Sequence, residues 1–175
     1  MVGAQLAGFD RMVKLTKEAP IIILEGDEYL SSPIDMRPKF IWYKPPVALI
    51  SGIAWDHINV FPTFDFYVEQ FSDFVKTMEP NGSLVYFNED VEIKKVVKDV
   101  AENVQTFGYS TPENTVANGK TSLLINGAEV ELNVFGTHNL QNLNGARLVL
   151  NQIGITDDMF YEAISNFGGA AKRLE

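Results

Sequence analysis

The strongest constraint on this chain is its alternation of two hydrophobic periods. Short β-branched runs are separated by segments whose apolar residues recur at helical spacing. "PIIILE" (20–25), "KFIWY" (39–43), "VALISGI" (47–53) and "SLVYFN" (83–88) read as strands. Pro45 and Pro46 separate the second from the third. Phe64, Tyr67, Val68, Phe71, Phe74, Val75 and Met78 share one face of a helix, with Thr63 placed to cap it. Val91, Ile93, Val96, Val97 and Val100 do the same in "DVEIKKVVKDVAENV". Strand and helix in turn predict an α/β domain: a largely parallel central sheet flanked by helices. After residue 104 the pattern changes. Asn126-Gly127 sits between two short β runs and predicts a small antiparallel hairpin. Helices are expected over about 138–153 and from Thr156 onward. The 175 residues suit one domain, 1–175, with no internal repeat.

Composition narrows the function. A net charge of -9 argues against a nucleic-acid backbone or an anionic membrane as partner. With no cysteine, disulfides, thiolate metal sites and cysteine nucleophiles are excluded. No apolar run reaches membrane-spanning length and no signal peptide is evident, so a cytoplasmic location is expected.

Three places carry chemistry. The run 20–25 ends in Glu25, Asp27 and Glu28, and "VALISGIAWDHINVF" ends in Asp56 and His57. Ligands gather at the carboxyl ends of strands in open α/β sheets, where carboxylates can hold Mg²⁺ through oxygen. Asp56 can orient the imidazole beside it. The third place is "GTHNLQN", where Asn139 and Asn142 share a helix face and offer carboxamides suited to an adenine edge. Each place has a plainer reading: a solvated acidic turn, a loop histidine, or a helix start capped by Thr137. A metal-dependent hydrolase using Asp27, Glu28 and His57 is a weaker alternative, short of ligands. Gly119-Lys120-Thr121 imitates the tail of a phosphate-binding loop, but residue 114 is Asn where that loop needs Gly, and a hairpin strand follows.

In this order the segments resemble the Mur ligase family, the ATP-dependent ligases of peptidoglycan synthesis. "EGDEYLSS" is similar to that family's "EADE" segment and "WDHINVF" to its "DH" segment. "VFGTHNLQNLNGARLVLNQIGI" is similar to the "GxHNxxN" helix, and "NFGGAAKRLE" to the stretch closing the central domain. "DMRPKFIWYKPP" resembles the insert of the murein peptide ligase branch, and Glu25 and His57 stand 32 positions apart, as that insert requires. The alanine-adding branch is the runner-up.

The resemblance implies a part of a Mur ligase central ATP-binding domain. Glu25 and His57 would ligate Mg²⁺, with Asp56 and His57 catalytic. His138, Asn139, Asn142 and Arg173 would hold ATP. The whole enzyme would join a peptide amine to UDP-N-acetylmuramate through an acyl phosphate. The phosphate-binding loop would lie upstream of Met1, and the N- and C-terminal domains outside the chain, leaving the fragment inactive alone. An uncovered sheet edge would let it form a homodimer. Phe71 stands where some relatives carry a carbamylated lysine, and "SGIAW" lacks an Asn common in the strand before "DH". The competing class is a non-catalytic α/β nucleotide-binding module.

Overall fold

The structure is a computed structural model and describes residues 11–100, 102–125 and 127–168. Its centre is a parallel three-stranded sheet: β3 (Val47–Ile50), β4 (Ser83–Phe87) and β5 (Gln105–Tyr109), in the order β3-β4-β5. Helix α1 (Phe64–Thr77) carries the chain from β3 to β4, and α2 (Val91–Val100) from β4 to β5. These are two βαβ units: the alternating periods predict the first, and β5, which the periods do not predict, completes the second. Before them lies a small hairpin of β1 (Leu30–Ser32) and β2 (Asp35–Pro38). After them comes an antiparallel sheet of β6 (Asn114–Ala117), β7 (Lys120–Ile125) and β8 (Ala128–Leu132), then α3 (Thr137–Gln152) and α4 (Asp157–Ile164). No helix among the described residues is long and apolar enough to cross a membrane.

Two cores form. Ala48, Ile50 and Leu84 pack against the apolar faces of α1 and α2, including Phe74, Val75, Ile93 and Val96. Leu123 and Leu132 of the second sheet pack with Leu140, Leu143 and Phe160 of α3 and α4. Thr63 Oγ1 accepts from Phe66 N–H and caps α1 as expected. Thr156 caps α4 in the same way.

Helix α3 lies on the other face of the parallel sheet and runs opposite to its strands. Near its start, Gln141 donates to Thr111 Oγ1 and Asn144 to the Ser110 carbonyl, both just after β5. At its end, Gln152 accepts from Ser83 Oγ, where β4 begins. The α3 N-terminus therefore lies at the carboxyl edge of the sheet. Gly145 permits the close packing: a Cβ built there would lie 2.7 Å from Tyr109 Oη and 3.1 Å from a Leu49 methyl.

Two expected strands are absent. Ile21, Ile22 and Ile23 are about half exposed, and only a single-residue bridge forms at Leu24. A β-branched run becomes a strand only where a neighbour supplies backbone partners. Among the described residues β3 is an outer strand, and nothing pairs with 21–23 in its sheet. The run 39–43 is instead a 3₁₀ turn over Lys39–Trp42, entered from Pro38. Phe40 leaves this turn to sit against Phe71 and Phe74, at ring centroid distances of 5.5 and 4.9 Å. Anchoring that one ring outweighs the β preference of the run.

Candidate functional site

Beyond β3 the chain crosses residues 51–62 at the carboxyl edge. Ile53 is buried, and its N–H donates to Asp90 Oδ2. Asp90 Oδ1 accepts from Glu92 and Ile93 N–H, capping α2. One carboxylate thus ties the loop to a helix start. His57 then takes a left-handed conformation, φ 51°, which costs an L-residue about 1–2 kcal/mol. Its N–H donates to Asp56 Oδ1 at 2.6 Å, and its carbonyl accepts from Val60 and Phe61 N–H. Phe61, 1% exposed, pins the turn into the core.

The acidic turn comes up beside it. Asp27 Oδ1 accepts from Tyr29 N–H, and Oδ2 from Lys39 Nζ at 2.7 Å. Burial is the largest influence on its carboxyl and pushes the pKa up. The bond from Lys39, the Tyr29 N–H and nearby positive charge together outweigh burial and leave it below the usual range. Asp27 is therefore committed to holding the turn. Glu28 points the other way: its Oε1 lies 3.5 Å from His57 Nε2. Asp56 Oδ2 lies 3.8 Å from the same nitrogen. Ligand atoms of Glu28, Asp56 and His57 all fall within 4.8 Å of one another. The Tyr29 ring meets the His57 ring edge-on at 5.0 Å. Below them Tyr67, 3% exposed, donates its phenol to Glu28 Oε1. Burial first, then repulsion by Glu28 and Asp56, pushes that phenol well above its ordinary pKa, so it meets the carboxylate as a donor.

Residues 8–150 match the Mur ligase middle domain. The chain belongs to the Mur ligase family. This Mur ligase middle domain is 26% identical over 193 residues to UDP-N-acetylmuramate–L-alanine ligase of Desulfitobacterium hafniense, covering all of this chain and 42% of that protein. It is 25% identical over 166 residues to UDP-N-acetylmuramate–L-alanyl-gamma-D-glutamyl-meso-2,6-diaminoheptandioate ligase of Haemophilus influenzae, covering 90% and 37%. Among solved structures, the UDP-N-acetylmuramate:L-alanyl-gamma-D-glutamyl-meso-diaminopimelate ligase of Neisseria meningitides superposes with a TM-score of 0.70 at 23% identity, covering 84% of this chain and 48% of that one. The chain thus spans less than half the length of each of these three relatives.

Within this Mur ligase domain the expected site residues fall as follows. His57 and Asp56 are together at the carboxyl edge. The carboxylate beside them is Glu28; Glu25 is exposed and outside that group of three. Asn139 turns its Nδ2 back onto the Phe135 carbonyl at 2.8 Å, while His138 and Asn142 are exposed on the first turns of α3. Arg173 lies outside the described residues. Phe71 packs on Tyr67 and Phe40 in an apolar setting. Tyr67 and Asp90 had no signal of their own: one reads as another apolar-face residue of a helix, the other as an ordinary helix-start acid. Two carboxylates and one imidazole suit a divalent cation. Mg²⁺ and Mn²⁺ favour the oxygens, and the nitrogen is better matched to Mn²⁺. The exposed carboxyl edge leaves room for water or phosphate oxygens to complete the shell.

Proposed function

We propose that this domain forms part of the ATP site of a longer cytoplasmic ligase of peptidoglycan synthesis. The reading follows the murein-peptide-ligase branch: a peptide amine is joined to UDP-N-acetylmuramate through an acyl phosphate, with ATP and Mg²⁺. The observation that carries it is the meeting of Glu28, Asp56 and His57 at the same sheet edge as the α3 N-terminus. That edge is where open α/β sheets bind nucleotides. A cation there would neutralise charge developing on the transferred phosphoryl oxygens.

In this reading His57 is a cation ligand and Asp56 fixes its turn through the bond to its N–H. The second ligand comes from the acidic turn, where Glu28 is placed toward His57 and Glu25 is the alternative. His138, Asn139, Asn142 and Arg173 hold the nucleotide. Titration with Mn²⁺, followed by electron paramagnetic resonance, tests the assignment. His57→Ala and Glu28→Gln should each weaken binding at least tenfold. Loss in Glu25→Gln with Glu28→Gln unaffected would transfer the ligand role to Glu25. Tight binding by His57→Ala would refute the site. The alanine-adding reading is the alternative, and the Desulfitobacterium relative carries that name. Assay of the longer enzyme with ATP, Mg²⁺ and UDP-N-acetylmuramate, offering either L-alanine or the tripeptide, distinguishes the two.

A further inference from the structure

We propose that Tyr67 is a positioning residue for the carboxylate–imidazole site, setting cation affinity through a hydroxyl that does not itself bind the cation. This rests on the reading of Glu28, Asp56 and His57 as a divalent-cation site. Tyr67 lies one turn into α1, where the Thr63 cap and the bond from Tyr67 N–H to the Thr63 carbonyl fix the helix start. Its ring is 5.1 Å from Phe61 and 5.2 Å, edge-on, from Phe71. Phe61 is one of two residues, with Val60, whose N–H groups close the His57 turn. Tyr67 therefore touches both halves of the site: its ring braces the turn that presents His57, and its hydroxyl reaches Glu28.

The oxygen it reaches is the same Oε1 that faces His57 Nε2. At 3.5 Å the contact is longer than the roughly 2.5–3.0 Å of an ordinary O–H···O bond, so its part is orientation more than energy. The phenol has reason to keep it, because a buried hydroxyl without a partner is unfavourable. Tyr109 shows the contrast: equally buried, its hydroxyl has no hydrogen-bond partner among the described residues. With Oε1 held between phenol and imidazole, Glu28 keeps one rotamer instead of sampling several. Supporting groups of this kind typically change metal affinity 10–100-fold when removed.

The test is Tyr67→Phe, which keeps the ring and removes the hydroxyl. Mn²⁺ binding to the chain is measured by electron paramagnetic resonance, with unchanged far-ultraviolet circular dichroism as the folding control. Binding should weaken about 10–100-fold. A second measurement needs no metal: melting temperatures of Tyr67→Phe, Glu28→Gln and the double variant. The hydroxyl–carboxylate pair predicts that the double variant shifts less than the sum of the singles. If Tyr67→Phe binds Mn²⁺ as tightly as the parent, or the shifts are additive, this inference falls alone. If the parent chain does not bind Mn²⁺, the cation reading falls and takes this inference with it.

Discussion

Replacing Gly145 by Ala should destabilise the domain, the opposite of the usual result for a glycine inside a helix. Ordinarily the change gains about 1 kcal/mol of helix propensity. A buried methyl adds about 0.8 kcal/mol of apolar transfer. Here the new Cβ would stand 2.7 Å from Tyr109 Oη, 2.8 Å from its Cζ and 3.1 Å from Leu49 Cδ1. Carbon contacts are favourable at about 3.5–4.0 Å, so roughly 1 Å of movement is forced. Tyr109 is 3% exposed and has the Phe87 ring at 5.5 Å, so its ring cannot swing aside freely. The helix can back away only by stretching Gln141 to Thr111 and Asn144 to Ser110. Overpacking costs about 1–3 kcal/mol, and two weakened hydrogen bonds about 1–3 kcal/mol more. Against a gain of just under 2 kcal/mol, the net loss is about 0–4 kcal/mol, centred on about 2 kcal/mol. For a chain of this size the central value lowers the melting temperature by about 4–8 °C. Thermal unfolding followed by circular dichroism measures it. Tyr109→Leu in the Gly145→Ala background should recover part of the loss, because the clash is with the ring. A Gly145→Ala variant as stable as the parent would show that α3 does not approach β5 this closely.

Two further substitutions have signs fixed by local geometry. At position 57, where φ is 51°, glycine should be better tolerated than alanine: His57→Gly should unfold about 1 kcal/mol later than His57→Ala. Comparing the two chemical denaturation midpoints checks this, and equal midpoints would mean that the turn relaxes. Asp157 is held below the ordinary carboxylate range by its bond from Arg147, then by that from Asn151. A depressed folded pKa gives stability that is fully present above the unfolded value near about 3.9 and is lost as pH falls through the folded value. Asp157→Asn should therefore lose less stability than the parent when melts are taken from pH 6 to pH 3. Because the side chain is half exposed, the difference should stay below about 1 kcal/mol; identical slopes would remove this pair from the acid response.

Much of this architecture could be read along the chain because several elements carry an unambiguous period. Helices α1 and α2 present continuous apolar faces, and the caps expected at Thr63 and Thr156 form, whereas α3 starts from Gly136 with Thr137 as its first helical residue and no side-chain cap. β5 carries no strand signal in the sequence because "QTFGY" is largely exposed, with only Tyr109 fully buried, so it lacks the apolar run of a central strand. Asn118-Gly119 was visible only as an imitation of a phosphate loop. With φ of 52° and 77° it is the tight turn joining β6 to β7, the same Asn-Gly chemistry recognised at residues 126 and 127. His57 and Asp56 were legible because a strand tip fixes where they emerge. The choice between Glu25 and Glu28 was not. It depends on how Asp27 is tied to Tyr29 and Lys39, and Lys39 lies in a segment whose sequence reads as a strand but folds as a 3₁₀ turn.

The fork at Asp90 makes the loop and the helix a single mechanical part. One oxygen grips the start of α2 and the other grips Ile53, three residues ahead of Asp56. Any ligand that draws the His57 loop outward must drag the base of α2 along with it or snap that grip. Motion at the sheet's rim is thus passed to the start of α2 through that single carboxylate.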